Sequence, residues 1–242
     1  MSINRTGSIS RRINVREERV KGSTAGAHYA ELPARAKTNS KSSPYCVPNE
    51  YIYSEIGRFL RLPVVQGVVI TGSGDNPKFW FAAIDFSQNE EILPAAIPEE
   101  CFQDLPELCA GTILFDVLIA NGDRSKNNLF LDKSSQPPQL RLFDHEWALL
   151  GTTPGQAEGR LTGSLKDRLG IPDHCLKSLV SLQSLRNSDW IGRIKSLPNY
   201  LVEETCQDAE QYGMTPQETE IVIGFLKKRR DRLSDLLDHY HH

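Results

Sequence analysis

The chain has 242 residues, with 28 Lys and Arg against 31 Asp and Glu, a formal net charge of −3 and a pI near 6.1. That balance gives no general attraction to nucleic acid or to an anionic membrane surface, and no apolar run approaches the roughly 20 residues of a membrane helix. At 39% hydrophobic and 24% charged the composition is that of an ordinary soluble globular protein, long enough for one large core or for two small lobes around a cleft.

Residues 1–12 read as a flexible polar tail. The N-terminus is basic (Arg5, Arg11, Arg12, Arg16) with no apolar signal region after it, so it reads as a flexible arm or docking strand and argues against secretion. Residues 13–39 are short mixed runs broken by Gly22 and Gly26, more strand-like than helical. A polar loop over 38–48 ends in Pro48, which suits a helix's first turn. A helix over about 48–60 follows from the amphipathic spacing of Ile52, Ile56, Phe59 and Leu60. Two strands come next, VVQGVVIT (64–71) and KFWFAAIDF (78–86), joined by the turn GSGDNP.

A polar, proline-containing stretch near 87–100 marks a boundary, giving an N-terminal lobe over 13–90 and a helical C-terminal lobe over 91–242. Asp104, Pro106 and Glu107 start a helix whose buried face carries Leu108, Phe115, Leu118 and Ile119, up to about Ala120. NLFLD (128–132) and QLRLFDH (139–145) form a β-hairpin. After a Gly- and Thr-rich loop beyond Gly151 come several helices. In the last, Thr215, Pro216 and Glu218 make a capping box, and a stripe runs from Val222 through Phe225, Leu226, Leu233 and Leu236 to Leu237. Trp80, Trp147 and Trp190 are expected in the core. Mixed strands followed by helices indicate an α+β fold with two lobes.

The chemistry lies in NGDRSKNNLFLDKSSQPPQLRLFDHEWAL (121–149). Asp123 begins a polar loop, Asn128 stands five residues on, and Asp144 closes the hairpin. Such a hairpin brings Asn128 and Asp144 to one mouth, where amide and carboxylate oxygens suit a hard cation such as Mg2+. Asp123 is placed to accept or orient a hydroxyl proton. Phosphoryl transfer uses such a set: a loop Asp, an Asn five positions on, and a metal-binding Asp on a following hairpin. Arg124 either braces the loop against a carboxylate or is solvated, and Lys126 offers a cation to a γ-phosphate. His145 is expected to be a hydrogen-bonding histidine rather than a ligand, and His239, His241 and His242 a frayed end. The five cysteines (Cys46, Cys101, Cys109, Cys175, Cys206) are scattered and form no CxxC, against disulfide scaffolds and zinc ribbons and for a reducing, cytoplasmic setting. There is no GxSxG and no HExxH.

The segments NGDRSKNN (121–128) and FDHEWAL (143–149) resemble HipA-like kinases, and more loosely the phosphatidylinositol 3/4-kinase catalytic core, which use D-R-x-x-x-N and a later Asp. The resemblance implies a two-lobed protein-kinase-like fold that binds ATP and Mg2+, with Asp123 catalytic and Asn128 and Asp144 as metal ligands. VPNEYIYSEIGRFLRLPVV (47–65) resembles the family's helix with an Asn-Glu start, implying that Glu50 pairs with a strand lysine on the ATP phosphates. Lys37, thirteen residues before Glu50 and just after the strand-like AELPARA, has the best spacing, with Lys21 and Lys41 as rivals. Glu55 lies nearer the helix's apolar stripe than Glu50 does. KGSTAGAHY (21–29) reads either as a phosphate loop with Ser23 and Thr24 as donors or as an ordinary turn.

The resemblance implies a protein Ser or Thr as acceptor. The chain is short for a full HipA protein and reads as a small stand-alone member, which weakens the antitoxin-like partner the resemblance also brings. Two other readings stay open: a pseudokinase that binds nucleotide or a partner without turnover, and a small-molecule or lipid-headgroup kinase.

Overall fold

The computed structural model describes residues 14–21, 24, 27–72, 78–85, 93–134, 136–153, 155–163 and 168–240. The strands come first. β1 (Asn14–Arg19) and β2 (His28–Glu31) form an antiparallel pair. β3 (Ala34–Thr38), β4 (Gly67–Thr71) and β5 (Phe79–Ile84) form a second antiparallel sheet in the order β3-β5-β4. Pro33 separates β2 from β3. It has no N–H for a ladder, and the chain changes sheets there, so AELPARA is two strand ends and Lys37 sits within β3 rather than after it.

In the three-stranded sheet Lys37 pairs with Phe81, Arg35 with Ala83 and Gly67 with Ala83. Cross-strand partners share a face, so Arg35, Lys37, Phe81 and Ala83 all point to one side. Gly67 is required there, because a Cβ at that position would run into the Phe81 ring. The run 64–71 is not one strand. Its first half joins another partner: the Val65 N–H donates to Leu142 O and the Leu142 N–H to Pro63 O, while β4 begins only at Gly67.

α1 (Cys46–Phe59) begins two residues earlier than its periodicity indicates. Tyr45 offers no side-chain cap, and Asn39 Oδ1 takes the free Val47 N–H instead, at 2.9 Å. Ile52, Tyr53, Ile56 and Leu60 are buried, while Phe59, at 43% exposed, lies off the stripe.

α2 (Pro98–Asp104) occupies the end of the stretch expected to be a polar boundary, and α3 (Pro106–Ile119) follows it directly. Every residue of α3 from Cys109 to Ile119 is buried, so this helix is the axis of the core. It ends at Ala120 in a left-handed conformation. β6 (Leu129–Asp132) and β7 (Gln139–Leu142) form the hairpin. Then come α4 (Ala157–Thr162), α5 (Leu182–Asn187), α6 (Trp190–Lys195), α7 (Asn199–Glu210), α8 (Pro216–Asp231) and α9 (Leu233–Leu236). Thr215 and Glu218 cap α8 reciprocally. The stripe expected along one last helix is divided, because the helix breaks at Arg232.

The amino-terminal elements are fastened to the last helices. Asn39 Nδ2 donates to Tyr212 O at 2.7 Å, and the Tyr45 hydroxyl donates to Glu218. Of the tryptophans, Trp190 is buried and Trp80 half-buried, but Trp147 is 51% exposed.

Trp190 lies on Gly111 of α3, where a Cβ would overlap the indole. Gly→Ala inside a helix ordinarily gains about 1 kcal/mol, while overpacking a core costs about 1–3 kcal/mol. Because the indole is itself buried, Gly111→Ala should destabilise by about 1 kcal/mol or more, read from the midpoint of urea unfolding. A gain in stability would mean that Trp190 moves aside freely.

Candidate active site

The site rests on a buried ion pair. Asp116 is the only charged residue in the fully buried part of α3, and Arg124 follows the helix by a short loop; both are fully buried. Arg124 Nε donates to Asp116 Oδ2 at 2.8 Å and Nη2 to Oδ1 at 3.1 Å. Its Nη1 donates to Asn128 O at 2.9 Å and Phe143 O at 3.2 Å, and Nη2 also meets His145 Nε2 at 2.6 Å. All five guanidinium N–H groups thus have acceptors. Asp116 accepts further bonds from Asn121 Nδ2 and His174 Nε2, both at 3.0 Å. Burial alone would raise the Asp116 carboxyl; the Arg124 charge and the bonds from His174 and Arg124 outweigh it and hold it well below the usual range.

Arginine has no acceptor, so His145 Nε2 must be the unprotonated nitrogen and Nδ1 carries the proton. That proton faces Glu50 Oε2 at 3.4 Å, and the His145 backbone N–H donates to Glu50 Oε1 at 3.1 Å. The His145 ring stacks on Tyr53 of α1, whose buried hydroxyl has no hydrogen-bond partner among the described residues. Burial, then the Arg124 charge, hold the His145 pKa well below its ordinary value.

Glu50 passes the restraint to Lys37. Lys37 Nζ is 2.9 Å from Glu50 Oε1, 2.6 Å from Asp144 Oδ1 and 3.7 Å from Glu146 Oε2. Burial pulls the ammonium's pKa down, and the charges of Glu50 and Asp144 more than reverse it, so Lys37 stays protonated. Lys37 from β3, Glu50 from α1 and Asp144 after β7 therefore meet at one point. Asp144 reaches it with φ +62°, a left-handed conformation uncommon outside glycine but accessible to Asp. Glu55 does not compete: it pairs with Arg58 on the helix surface.

Lys37, Glu50 and Asp144 line a cavity of about 190 Å3 whose walls include Tyr53, Val65, Phe81, Ala83, Leu93, Leu142 and Phe143. Its lining is mostly apolar, broken by the charges of Lys37, Glu50 and Asp144 and by Arg35 and Asp85, which pair at 3.2 Å.

Asp123 and Asn128 lie in the adjoining loop. Asn128 Nδ2 donates to Asp123 O at 2.7 Å, and the Phe143 N–H reaches Asn128 O at 3.4 Å, which sets Asn128 beside the residue preceding Asp144. The Asp123 side chain is exposed and accepts no hydrogen bond from the described residues, and neither does Asn128 Oδ1. Among the described residues no three His, Cys, Asp or Glu form a metal cluster. The hard donors present, Asn128 Oδ1 and the Asp144 carboxylate, suit a Mg2+ ion that takes its other ligands from water and phosphate.

The remaining candidates are more dispersed. Lys126 is exposed in a 3-10 turn over Lys126–Asn128. Thr24 is an exposed turn residue between β1 and β2, and Ser23 lies outside the described residues. Lys21 and Lys41 are exposed and His239 is at the surface; His241 and His242 are outside the described residues. Arg124 is bracing, not solvated.

Sequence reasoning did not single out Asp116, Glu146 or His174. A lone acid in an otherwise apolar helix was the available signal for Asp116, since a buried charge needs a buried partner. Among the described residues no helix is long and apolar enough to cross a membrane.

A small antiparallel amino-terminal sheet, a mainly helical remainder and a cleft between them define a two-lobed, protein-kinase-like fold. In particular, the chain is similar to the crystal structure of a Helicobacter pylori proinflammatory kinase, CtkA, with a TM-score of 0.58 and 14% sequence identity over 95% of each chain. No family model matches the sequence, and no curated protein matches it. At that identity the likeness concerns the fold.

Two outcomes follow from the buried network. Asp116→Ala strands the Arg124 charge and should cost about 3–5 kcal/mol, measured by chemical denaturation; a loss below about 1 kcal/mol would show that the guanidinium finds water. His145 and His174 both have folded pKa values below the ordinary 6.5. Below that pH the unfolded chain binds more protons than the folded one. Stability should therefore be full above about pH 6.5 and fall on acidification, by at most about 1.4 kcal/mol per pH unit for each histidine. Denaturation at pH 7.5 and 5.5 reads the slope, and His145→Gln should reduce it.

Proposed function

We propose that this protein is an ATP- and Mg2+-dependent phosphotransferase, a HipA-like kinase that transfers the γ-phosphate to a Ser or Thr hydroxyl of a protein. The observation that carries this reading is the Lys37 ammonium held between Glu50 and Asp144 on the wall of a mostly apolar slot. In this reading the apolar walls receive the base, and Lys37 faces the phosphates.

Each residue has a task in this reading. Lys37 binds phosphate oxygens, and Glu50, fixed by two bonds from His145, orients it. Mg2+ held by Asn128 and Asp144 neutralises charge on those oxygens when bound. Asp123, exposed and with a free carboxylate, orients the acceptor hydroxyl and takes its proton. Lys126 lies two residues before Asn128 and supplies further positive charge to the phosphates. Thr24 and, outside the described residues, Ser23 are assigned as hydroxyl donors to the phosphates by resemblance. The same reading includes a cytoplasmic setting and a lobe boundary near residue 90, which lies outside the described residues.

Transfer of label from γ-labelled ATP with Mg2+ tests it. Wild type should transfer phosphate, and Lys37→Met, Asp123→Ala and Asp144→Asn should each lose about 100-fold or more with unfolding midpoints that keep them folded at the assay temperature. Mg·ATP binding without turnover would make the protein a nucleotide-binding pseudokinase. Transfer to small molecules or lipid headgroups but to no protein would replace the acceptor class, and no nucleotide binding at all would overturn the reading.

A further inference from the structure

Between Asp144 and Gly151 the chain is buried almost throughout: His145 is 1% exposed, Ala148 and Leu149 0%, Leu150 1%. Trp147 stands out at 51%. Its exposure does not come from a loose loop. Asn49 Nδ2 holds Glu146 O at 2.7 Å, the Ala148 N–H bonds to His145 O at 3.0 Å, and the Leu149 N–H bonds to Ile119 O at 2.9 Å. The partly buried Arg160 fixes the remainder: Nε donates to Leu149 O at 2.7 Å, and Nη2 donates to both Trp147 O at 3.2 Å and Ala120 O at 3.1 Å. A single guanidinium nitrogen thus spans the carbonyl of Trp147 and that of Ala120, three residues before Asp123. A rigidly mounted, solvent-facing indole therefore stands on a loop that begins at Asp144 and whose backbone is tied through Arg160 to the end of α3, three residues before the exposed Asp123.

We infer that Trp147 is a specificity-determining platform on the acceptor side of the site, binding a large apolar or aromatic side chain that flanks the phosphorylated hydroxyl in a polypeptide. The inference rests on the kinase reading and narrows its acceptor. Indole is the side chain most used for such anchoring, because it buries a large area at small entropic cost and stacks on other rings. Keeping it wet on a rigid loop forgoes burial that a folded chain otherwise uses. The choice of a polypeptide follows from shape. Small-molecule sites enclose most of their ligand, but neither Trp147 nor Asp123 lines the 190 Å3 cavity, and both face solvent. An open surface with one carboxylate and one ring suits an extended chain laid across it.

The probe is a peptide array with a central Ser and one flanking position at a time varied through all residue types, assayed with γ-labelled ATP and Mg2+. Wild type should favour Phe, Tyr, Trp, Leu or Met at one flanking position. For the best peptide Trp147→Ala should raise KM about tenfold or more and leave kcat within about twofold, and Trp147→Phe should restore most of the loss. The peptide should also shift wild-type tryptophan fluorescence, and the shift should vanish in Trp147→Phe. Matching unfolding midpoints establish that the variants fold. Transfer without flanking preference, or an unchanged KM in Trp147→Ala, overturns the platform while leaving the kinase reading intact. ATP turnover with no peptide phosphorylated overturns the polypeptide acceptor. No ATP binding or turnover overturns the kinase reading and this inference with it.

Discussion

The Arg124–Asp116 pair is the interaction on which the rest of the site depends. Burying two charges is unfavourable unless every donor and acceptor is used. Here the condition is met by reaching outward: the guanidinium takes the carbonyls of Asn128 and Phe143 and one nitrogen of His145. Satisfying the arginine therefore positions the loop, both strands of the hairpin and the histidine together. The histidine's tautomer then fixes Glu50, and Glu50 fixes Lys37. A buried charge in the middle of α3 is in this way linked to an ammonium in β3.

The polar chain also explains how a cleft that is mostly apolar keeps an ordered charged cluster. Around Lys37 stand the carboxylates of Glu50, Asp144 and Glu146. Glu50 is buried and doubly bonded, while Asp144 is 41% exposed and held in a left-handed backbone conformation. The buried part of the cluster is thus Glu50, and the part open to solvent is the carboxylate of Asp144. Tyr53 stacks its ring on His145, and its hydroxyl has no hydrogen-bond partner among the described residues, which is unfavourable for a buried polar group.

The general architecture was readable in the chain because strands and helices announce themselves by different periods. Asp123, Asn128 and Asp144 were visible together because one loop and one hairpin connect them, so spacing in sequence is nearly spacing in space. The alignment of Lys37 with Glu50 was carried by resemblance rather than by pattern, since Glu50 lies off the apolar stripe and is buried at the end of α1 instead of along it. Periodicity failed where a partner lay far along the chain. The run 64–71 looks uniform, yet Val65 bonds to Leu142 and Gly67 begins a strand against β5. It failed again for Trp147, because hydrophobicity alone cannot tell a core indole from one mounted on the surface. Asp116 and His174 were missed because each is a single polar residue whose meaning lies in a partner elsewhere.

The clasp between the two ends of the chain has a consequence for the order of assembly. Asn39 and Tyr45, which secure the start of α1, bond to Tyr212 and Glu218, each 173 residues away. Closing so long a loop is entropically expensive and slow to be rewarded. During synthesis the strands and α1 emerge first; the start of α1 has its local bond from the Val47 N–H to Asn39, while these two long-range bonds wait for the last helices. Lys37 and Glu50 meet Asp144 and His145 once the hairpin has been made, but the clasp on the start of α1 closes only with Tyr212 and Glu218.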